Sequence, residues 1–444
     1  MNKTIENWIK TIVLVITIIA CNFGVYGQNN SVVISDVDDA IDYVLKENPD
    51  LETYQLNQRK SIQEYKNQKL SLLPSISGNF GSTYTIELQT SALPGQIVGQ
   101  EGTVNVKIGA PYTYNTGLTL SWDAINPQKI IQTKLSKLNN DIEFAQTEAY
   151  RQKLIEQTVL YYYAIVITQE SISNHKKNLA IADSIVIITE DRHSQGINDV
   201  SSVNLSKISA NNIKQTILNN QMILNQYVIQ LKILMGLMIA DDLQISESLE
   251  KKTVSFADSA DLNSDKNLEV YNLQLQYSEQ DIKTKQAAYY PILSANAYYG
   301  YLQLKDDFGV SFDNNAWAPY SYVGLNLSIP IFTGNTNKGN VEVARIKHQI
   351  NEQNLETEVQ KSNLNDAQLI ADYKNSLEQL NISQESYQLF KQNVDLAFER
   401  YSEGIIGIDS YYIVFEDYLK MENNYLNSIS SVYTYYSTIL SRQQ

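Results

Sequence analysis

Residues suited to chemistry are few in this sequence, and they stand far apart. The three histidines are His175, His193 and His348, and each is more typical of a solvated or packed helix residue than of a metal ligand. The single cysteine is Cys21, and there is no phosphate-binding glycine loop and no nucleophile motif. The sequence therefore predicts that the chain is not an enzyme and has no cofactor and no metal site.

Two short stretches 208 positions apart look like one turn written twice: Arg192–Ile197 (RHSQGI) and Arg400–Ile405 (RYSEGI). Each follows a very long helical pattern and precedes one of about half that length. Gly196, Gly404 and Gly407 are suited to the positive φ with which helices commonly end. We predict that these stretches are the tip turns of two long antiparallel helical hairpins.

The N-terminus predicts an exported protein. Lys3 and Lys10 precede the apolar run Thr11–Cys21, so residues 1–27 are interpreted as a secretory signal peptide. The alternative is a lipoprotein cut before Cys21, whose acylation would anchor the chain.

Composition narrows the class of protein further. One cysteine allows no disulfide within the chain, and a net charge of −15 argues against nucleic acid as a partner. No later apolar run reaches the roughly 18 residues of a transmembrane helix. Any passage through a membrane is therefore expected to use β-strands.

Hydrophobic periodicity predicts the elements of the first half of the chain. A helical pattern with a break at Asn48-Pro49 follows a capping box at Ser35. The predicted helices cover 37–73, 127–193 and 201–237, the strands 75–88 and 117–122, and a long loop 89–115.

The same order of helical and strand patterns then occurs a second time, which indicates an internal duplication. Leu51–Leu56 recurs as Leu268–Leu273, and Gly117–Ser121 recurs as Gly324–Ser328. The predicted strands of the second copy cover 293–301 and 323–329, its loop 303–318, its long helix 338–401, and a last helix follows the second turn. We divide the mature chain into a first repeat, 28–238, an irregular connector, 239–266, and a second repeat, 267–444.

The four strands have an apolar face and edges that need partners. Four strands cannot close a barrel, because the smallest barrels need about eight, so the chain must oligomerise if they span a membrane. The sequence has 31 tyrosines, and pairs such as Tyr289-Tyr290 and Tyr298-Tyr299 are predicted at strand ends, where outer-membrane barrels have aromatic girdles.

The duplicated unit carries four short motifs: Asn48–Leu51 (NPDL), Leu72–Ser75 (LLPS), Ser328–Phe332 (SIPIF) and Tyr401–Gly404 (YSEG). In their order they resemble the TolC family of outer-membrane efflux proteins over essentially the whole mature chain. The resemblance implies a mainly helical fold in which duplicated long-helix hairpins form a periplasmic α-barrel. It also implies a homotrimer, in which four strands from each chain build a twelve-stranded outer-membrane barrel.

The function implied by the resemblance is that of an outer-membrane exit duct with a periplasmic extension in a Gram-negative bacterium. The implied partners are a periplasmic adaptor (membrane fusion protein), an inner-membrane pump and outer-membrane lipid. Small molecules would pass through it passively. A type I secretion duct for polypeptides and a non-channel coiled-coil protein of the envelope are the alternatives.

The resemblance also places function at the tip turns. In the family, acidic residues just after the second turn ring the periplasmic entrance, and Asp409 is the nearest match, although the second acidic position one turn later is not matched. Such a ring would favour cations, whereas either Asp409 or Asp199 is alternatively a helix N-terminal acid favoured by the dipole. The gate candidates are Asp409, Ser410 and Asp199. The candidates for adaptor contact are Gly196, Ile197, Gly404, Ile405 and Gly407.

Overall fold

The computed structural model describes residues 31–99, 101–247, 249, 262–263 and 265–443. The predicted signal peptide, Cys21 and residues 250–261 of the predicted connector lie outside the described residues. None of the helices in the described ranges combines the length and the apolar character that a membrane span needs.

Helices and strands follow one another in the duplicated order that the periodicity predicts. In chain order they are β1 (Ser31–Ile34), α1 (Val37–Glu47), α2 (Pro49–Leu70), β2 (Ser75–Tyr84), β3 (Thr90–Pro94), β4 (Thr103–Lys107), β5 (Tyr112–Ile125), α3 (Pro127–Ser194), α4 (Val200–Leu234), β6 (Asp242–Ile245), α5 (Lys266–Gln286), β7 (Ile292–Lys305), β8 (Ala318–Ser328), α6 (Thr336–Ser402) and α7 (Ile408–Gln443). The predicted bounds of the long helices are confirmed to within a few residues. The chain divides into two compact units, and each takes segments from both repeats.

We call the first unit the hairpin unit. It comprises the described residues of Met1–Thr53, Tyr150–Ser264 and Asn363–Gln444. The turns between α3 and α4 and between α6 and α7 lie in this unit. α3 has 68 residues and α6 has 67, so each helix is about 100 Å long at a rise of about 1.5 Å per residue.

Salt bridges show that α3 and α4 run antiparallel. Lys207 binds Glu190 at 2.7 Å, and Lys214 binds Asp183 at 3.5 Å. As the chain moves away from the turn along α4, its partners move back along α3. The first predicted hairpin is thereby confirmed.

Two apolar clusters hold the hairpin unit together. The first joins α1, α3, α4 and α7, and the ring of Tyr163 stacks on Tyr433 with 3.6 Å between centroids. The second lies nearer the turns and takes residues from α3, α4, α6 and α7; its most buried members are Ala182, Ile185, Tyr401, Tyr411 and Phe415. Both hairpins therefore share one core close to their turns.

The start of α1 corrects the predicted capping box. The N-cap is Asp36, one residue after Ser35, and its carboxylate accepts the backbone N–H of Asp39 at 2.9 Å. Asp36 has the extended backbone of an N-cap residue, whereas Ser35 donates its own N–H to the Asp39 carboxylate. The predicted break at Asn48-Pro49 is confirmed as the junction of α1 and α2.

The sequence predicts that the segment from residue 239 is irregular, but the structure has a strand, β6, within it. β6 pairs in parallel with β1, and Ser31 lies opposite Asp242. Both strands were missed because each has only four residues, and a pairing between segments some 210 positions apart leaves no local pattern.

We call the second unit the sheet unit. It comprises the described residues of Tyr54–Ala149 together with Asp265–Ser362. Its main sheet is antiparallel with the order β2-β5-β7-β8, so the strands of the two repeats meet at β5 and β7. Large apolar side chains on this sheet are exposed, among them Ile76, Phe80, Val323 and Leu325. In the described chain β2 and β8 are the sheet's outer strands, with unpaired outer edges.

Two predictions about the strands are wrong in detail. The segment 89–115, predicted as a loop, contains the hairpin β3–β4 and the first residues of β5. Tyr298 lies opposite Tyr322 in the middle of β7, not at a strand end. Their rings stack with 5.9 Å between centroids, so this pair is a cross-strand contact.

Candidate functional site at the paired turns

The turns after α3 and α6 have the same backbone. In the first, the N–H of Gly196 donates to the carbonyl of His193 and that of Ile197 to the carbonyl of Arg192, both at 2.9 Å. In the second, Gly404 donates to Tyr401 at 3.0 Å and Ile405 to Arg400 at 2.9 Å.

The φ angles of the two glycines agree as well. Gly196 has a φ of 77° and Gly404 a φ of 80°. A left-handed glycine with this pair of bonds satisfies the last carbonyls of each helix. The prediction of one turn written twice is confirmed.

Gly407 differs from the other two glycines. Its φ is not positive, contrary to the prediction. It stands directly before α7, and its carbonyl accepts the N–H of Tyr411 at 3.2 Å. Gly407 thus occupies the start of a helix, where the backbone does not need the left-handed region.

The two aspartates after the turns are used differently. Asp199 is the N-cap of α4, and its carboxylate accepts the backbone N–H of Ser202 at 2.8 Å and the Ser202 hydroxyl at 2.7 Å. These hydrogen bonds, with that of the hydroxyl foremost, lower the pKa of Asp199. Asp199 therefore performs the structural role of a helix cap.

Asp409 has no such role. It lies in the first turn of α7 beside Ser410, and both side chains are exposed. Among the described residues, no hydrogen bond or ion pair involves the Asp409 carboxylate, and none joins it to Asp199. Its charge is therefore available to solvent or to another molecule.

Arg192 joins the first turn to the second. Its Nη2 donates to the carbonyl of Tyr401 at 2.9 Å and to that of Ser402 at 3.0 Å, and the guanidinium lies 4.7 Å from the Tyr401 ring centroid. The Tyr401 hydroxyl also bonds to Thr189 at 2.9 Å. The two turns are therefore in direct contact.

Each of the two turns carries an exposed apolar residue. Ile197 and Ile405 occupy equivalent positions, and each is 67% exposed. An exposed isoleucine at the same place in both turns has no role in the packing of the hairpin unit. It is available to a partner.

Aromatic residues fill the space behind the second turn. Tyr411 stacks on Tyr401 with 5.7 Å between centroids and on Phe415 with 5.6 Å. Burial raises the pKa values of Tyr411 and Tyr412. The sequence analysis did not single out this cluster, although the tyrosines and phenylalanine early in the last helix are its visible signal.

A buried carboxylate lies farther along the same helix. Glu422 accepts hydrogen bonds from Asn178 at 2.7 Å and from the Tyr418 hydroxyl at 3.1 Å. Burial raises the pKa of Glu422, and the charge of the neighbouring His175 partly opposes this effect. Glu422 and Lys391 are among the residues that line a cavity of about 400 Å³. Sequence reasoning missed Glu422, because an acidic residue in a helix is usually solvated.

Each of the three histidines forms a hydrogen bond within the chain. His175 is buried and donates from Nδ1 to the carbonyl of Ser171, while His193 makes the same kind of bond to the carbonyl of Asn198. His348 bonds to Ser278. All three therefore have a partner, which lies in the same helix for His175, in the following turn for His193 and in a neighbouring helix for His348.

Comparison with known proteins identifies the family. The profile of the outer membrane efflux protein family matches residues 40–237 and 259–410. No curated protein sequence gives a significant match.

Solved structures share the fold at low sequence identity. The Campylobacter jejuni CmeC outer membrane channel is 18% identical with a TM-score of 0.74, and the alignment covers 91% of this chain and 85% of that one. The open-state Neisseria gonorrhoeae MtrE channel is 17% identical with a TM-score of 0.72, covering 94% of both chains. The Vibrio cholerae protein VceC is 16% identical with a TM-score of 0.72, covering 91% and 95%.

The fold, with its long-helix hairpins and its strand portion, agrees with these channels. The family match extends through both repeats and both turns. Such channels generally work as trimers with an adaptor and an inner-membrane pump. The chain belongs to the outer membrane efflux protein family and is an outer-membrane exit duct of a tripartite efflux system, with a periplasmic extension.

Proposed function

We propose that the paired turns form the periplasmic entrance of a homotrimeric duct and that Asp409 provides its charged constriction. In this proposal three copies of Asp409 face one another, with Ser410 beside them. The duct is passive and catalyses no reaction. Its energy comes from an inner-membrane pump.

The observation that carries the proposal is the free Asp409 carboxylate at an exposed turn. Asp199 is committed to Ser202, whereas no described residue binds Asp409. Three unpaired carboxylates that converge on one axis attract cations and repel anions. We therefore assign the main gating charge to Asp409 and a lesser one to Asp199.

We further propose that the apolar residues of both turns contact the periplasmic adaptor. The support is the equal exposure of Ile197 and Ile405. Gly196, Gly404 and Gly407 shape the backbone that presents them. Exposed isoleucines next to small residues suit a docking surface for helical hairpin tips.

Ion selectivity in planar bilayers tests the gate. Asp409→Asn keeps the size of the side chain and removes its charge, so the cation-to-anion permeability ratio should fall several-fold and block by divalent cations should weaken. The matched control, Asp199→Asn, should change both quantities less. Unchanged selectivity and unchanged divalent block in Asp409→Asn would exclude this residue from the constriction.

A further inference from the structure

Arg192 donates hydrogen bonds to backbone carbonyls in the last turn of α6. The last carbonyls of a helix have no partner within it. Arg192 is half-buried and donates to two of them, the Ser402 carbonyl and the Tyr401 carbonyl, which also accepts the Gly404 N–H of the turn. One hairpin thus caps the helix of the other.

The duplication predicts a second contact of the same kind. Arg400 is the counterpart of Arg192, but it is exposed, and its guanidinium makes no hydrogen bond or ion pair in the described part of the chain. The counterparts of the two acceptors are His193 and Ser194, which are exposed as well. Because both turns have the same hydrogen-bond pattern, the carbonyls of His193 and Ser194 have the same orientation relative to their helix as those of Tyr401 and Ser402.

Apolar side chains show the same asymmetry. Ile188 of α3 packs against the core near the turns, while its counterpart Leu396 of α6 is 52% exposed. Leu426 of α7 lies in an apolar core and is only 6% exposed, whereas its counterpart Leu218 of α4 is 65% exposed. In each pair, the side chain packs against a core in one repeat and is exposed in the other.

Three exposed apolar residues in the last third of α6 form a stripe. Ile382, Leu389 and Leu396 are all exposed and follow one another at intervals of seven, and Arg400 comes one turn later. Apolar residues at this spacing line the seam between packed helices. The stripe therefore has the pattern of a helix interface that the isolated chain does not complete.

We propose that this face binds a second copy of the chain, with Arg400 donating to the backbone carbonyls of His193 and Ser194 of that copy. The stripe on α6 then packs against the face of α4 that carries Leu218. The contact repeats the one between the two hairpins of one chain, so it is head-to-tail, and such contacts close into a ring when the rotation permits. This inference rests on the proposed homotrimer and adds the residues that join its subunits.

Site-directed crosslinking of the purified full chain in detergent tests the contact. The pair Arg400→Cys with Ser194→Cys should give covalent dimers and trimers on denaturing gels after treatment with a short thiol-specific crosslinker. The matched pair, Arg192→Cys with Ser402→Cys, should link within one chain and keep the mass of a monomer. The four single variants control for Cys21.

The outcomes separate this contact from the oligomeric state. If light scattering shows a trimer and the Arg400/Ser194 pair yields only monomers while the Arg192/Ser402 pair links, the contact is excluded and the trimer stands. If light scattering shows a monomer, both proposals are overturned.

A second variant tests the hydrogen bond itself. Arg400→Ala should lower the temperature at which the oligomer dissociates, and Arg400→Lys should restore only part of the loss, because a lysine does not present the planar fork of a guanidinium. An unchanged dissociation temperature in Arg400→Ala would overturn the role of this side chain.

Discussion

The two tip turns share a backbone but differ in what surrounds them. Gly196 and Gly404 have the same φ to within a few degrees and the same hydrogen bonds. Behind the second turn, however, stand Tyr411 and Phe415, whose counterparts in the first repeat are Val203 and Lys207. The comparison shows that the duplicated turns keep the same local backbone, whereas the large aromatic side chains at these positions occur only in the second hairpin.

The largest expected effect tests this unequal packing. Phe415 is fully buried against Tyr411, so Phe415→Ala should lower the free energy of unfolding by about 3–5 kcal/mol. The counterpart Lys207 is exposed and forms one surface ion pair, so Lys207→Ala should change it by less than about 1 kcal/mol. Urea denaturation followed by circular dichroism measures both.

Equal losses of unfolding free energy in Phe415→Ala and Lys207→Ala would contradict this difference between the hairpins. They would mean that the first hairpin depends on its turn region as strongly as the second does, in spite of the different side chains.

A smaller effect tests the shared backbone. Alanine in the left-handed region costs about 1–2 kcal/mol, so Gly196→Ala and Gly404→Ala should destabilise the protein by similar amounts. Apart from the adjoining residues, no atom in the described part of the chain lies within 4 Å of a Cβ at Gly196, and only the Arg192 Nη2 lies near one at Gly404, at 3.9 Å. The losses therefore come from the backbone and not from a clash.

Gly407→Ala is the matched control. Its φ is not positive and the space around it is open. Alanine stabilises the protein by lowering the conformational entropy of the unfolded chain, but it is a poorer residue than glycine at the start of a helix, so the two effects on the free energy of unfolding oppose each other. We expect a change below about 0.5 kcal/mol in the same denaturation measurement. A loss as large as that of Gly404→Ala would show that the left-handed conformation is not the cause.

Features that depend on a few neighbouring residues could be predicted from the sequence. The turns, the break at Asn48-Pro49 and the long helices follow from glycine, proline and the spacing of apolar residues, and the duplication shows that the two turns correspond. The cap was misplaced by one residue, from Asp36 to Ser35, because both residues are good N-caps and only the backbone conformation decides between them.

Features that depend on distant residues could not be predicted. β1 and β6 pair across more than 200 positions, and the bond from Arg192 to Tyr401 spans 209. The burial of Glu422 depends on which face of α7 meets α3, which a mixed polar and apolar pattern does not specify. The candidate site was therefore located by its turns, but its aromatic cluster and its buried carboxylate were not.

The effect that we expect to be smallest concerns Glu422. Its counterpart in the first repeat is Lys214, an exposed residue paired with Asp183. Burial raises the pKa of Glu422 above the ordinary value of 4.5, so the folded state holds the proton more tightly than the unfolded state does. The stabilising contribution of this group is therefore complete below pH 4.5 and is lost as the pH rises through the raised pKa. Glu422→Gln is neutral at every pH and should remove this part of the pH dependence.

The measurement is the midpoint of urea denaturation between pH 4 and pH 9, compared between the wild-type chain and Glu422→Gln. The difference should grow in favour of the variant as the pH rises, since the variant avoids an ionised carboxylate in the core and still accepts the hydrogen bond from Asn178. Lys214→Met, at the exposed counterpart, should shift all midpoints by a similar small amount, because an exposed ion pair contributes little to stability. Parallel curves for the wild-type chain and Glu422→Gln would mean that Glu422 stays ionised in the fold, with Asn178 and Tyr418 compensating its burial.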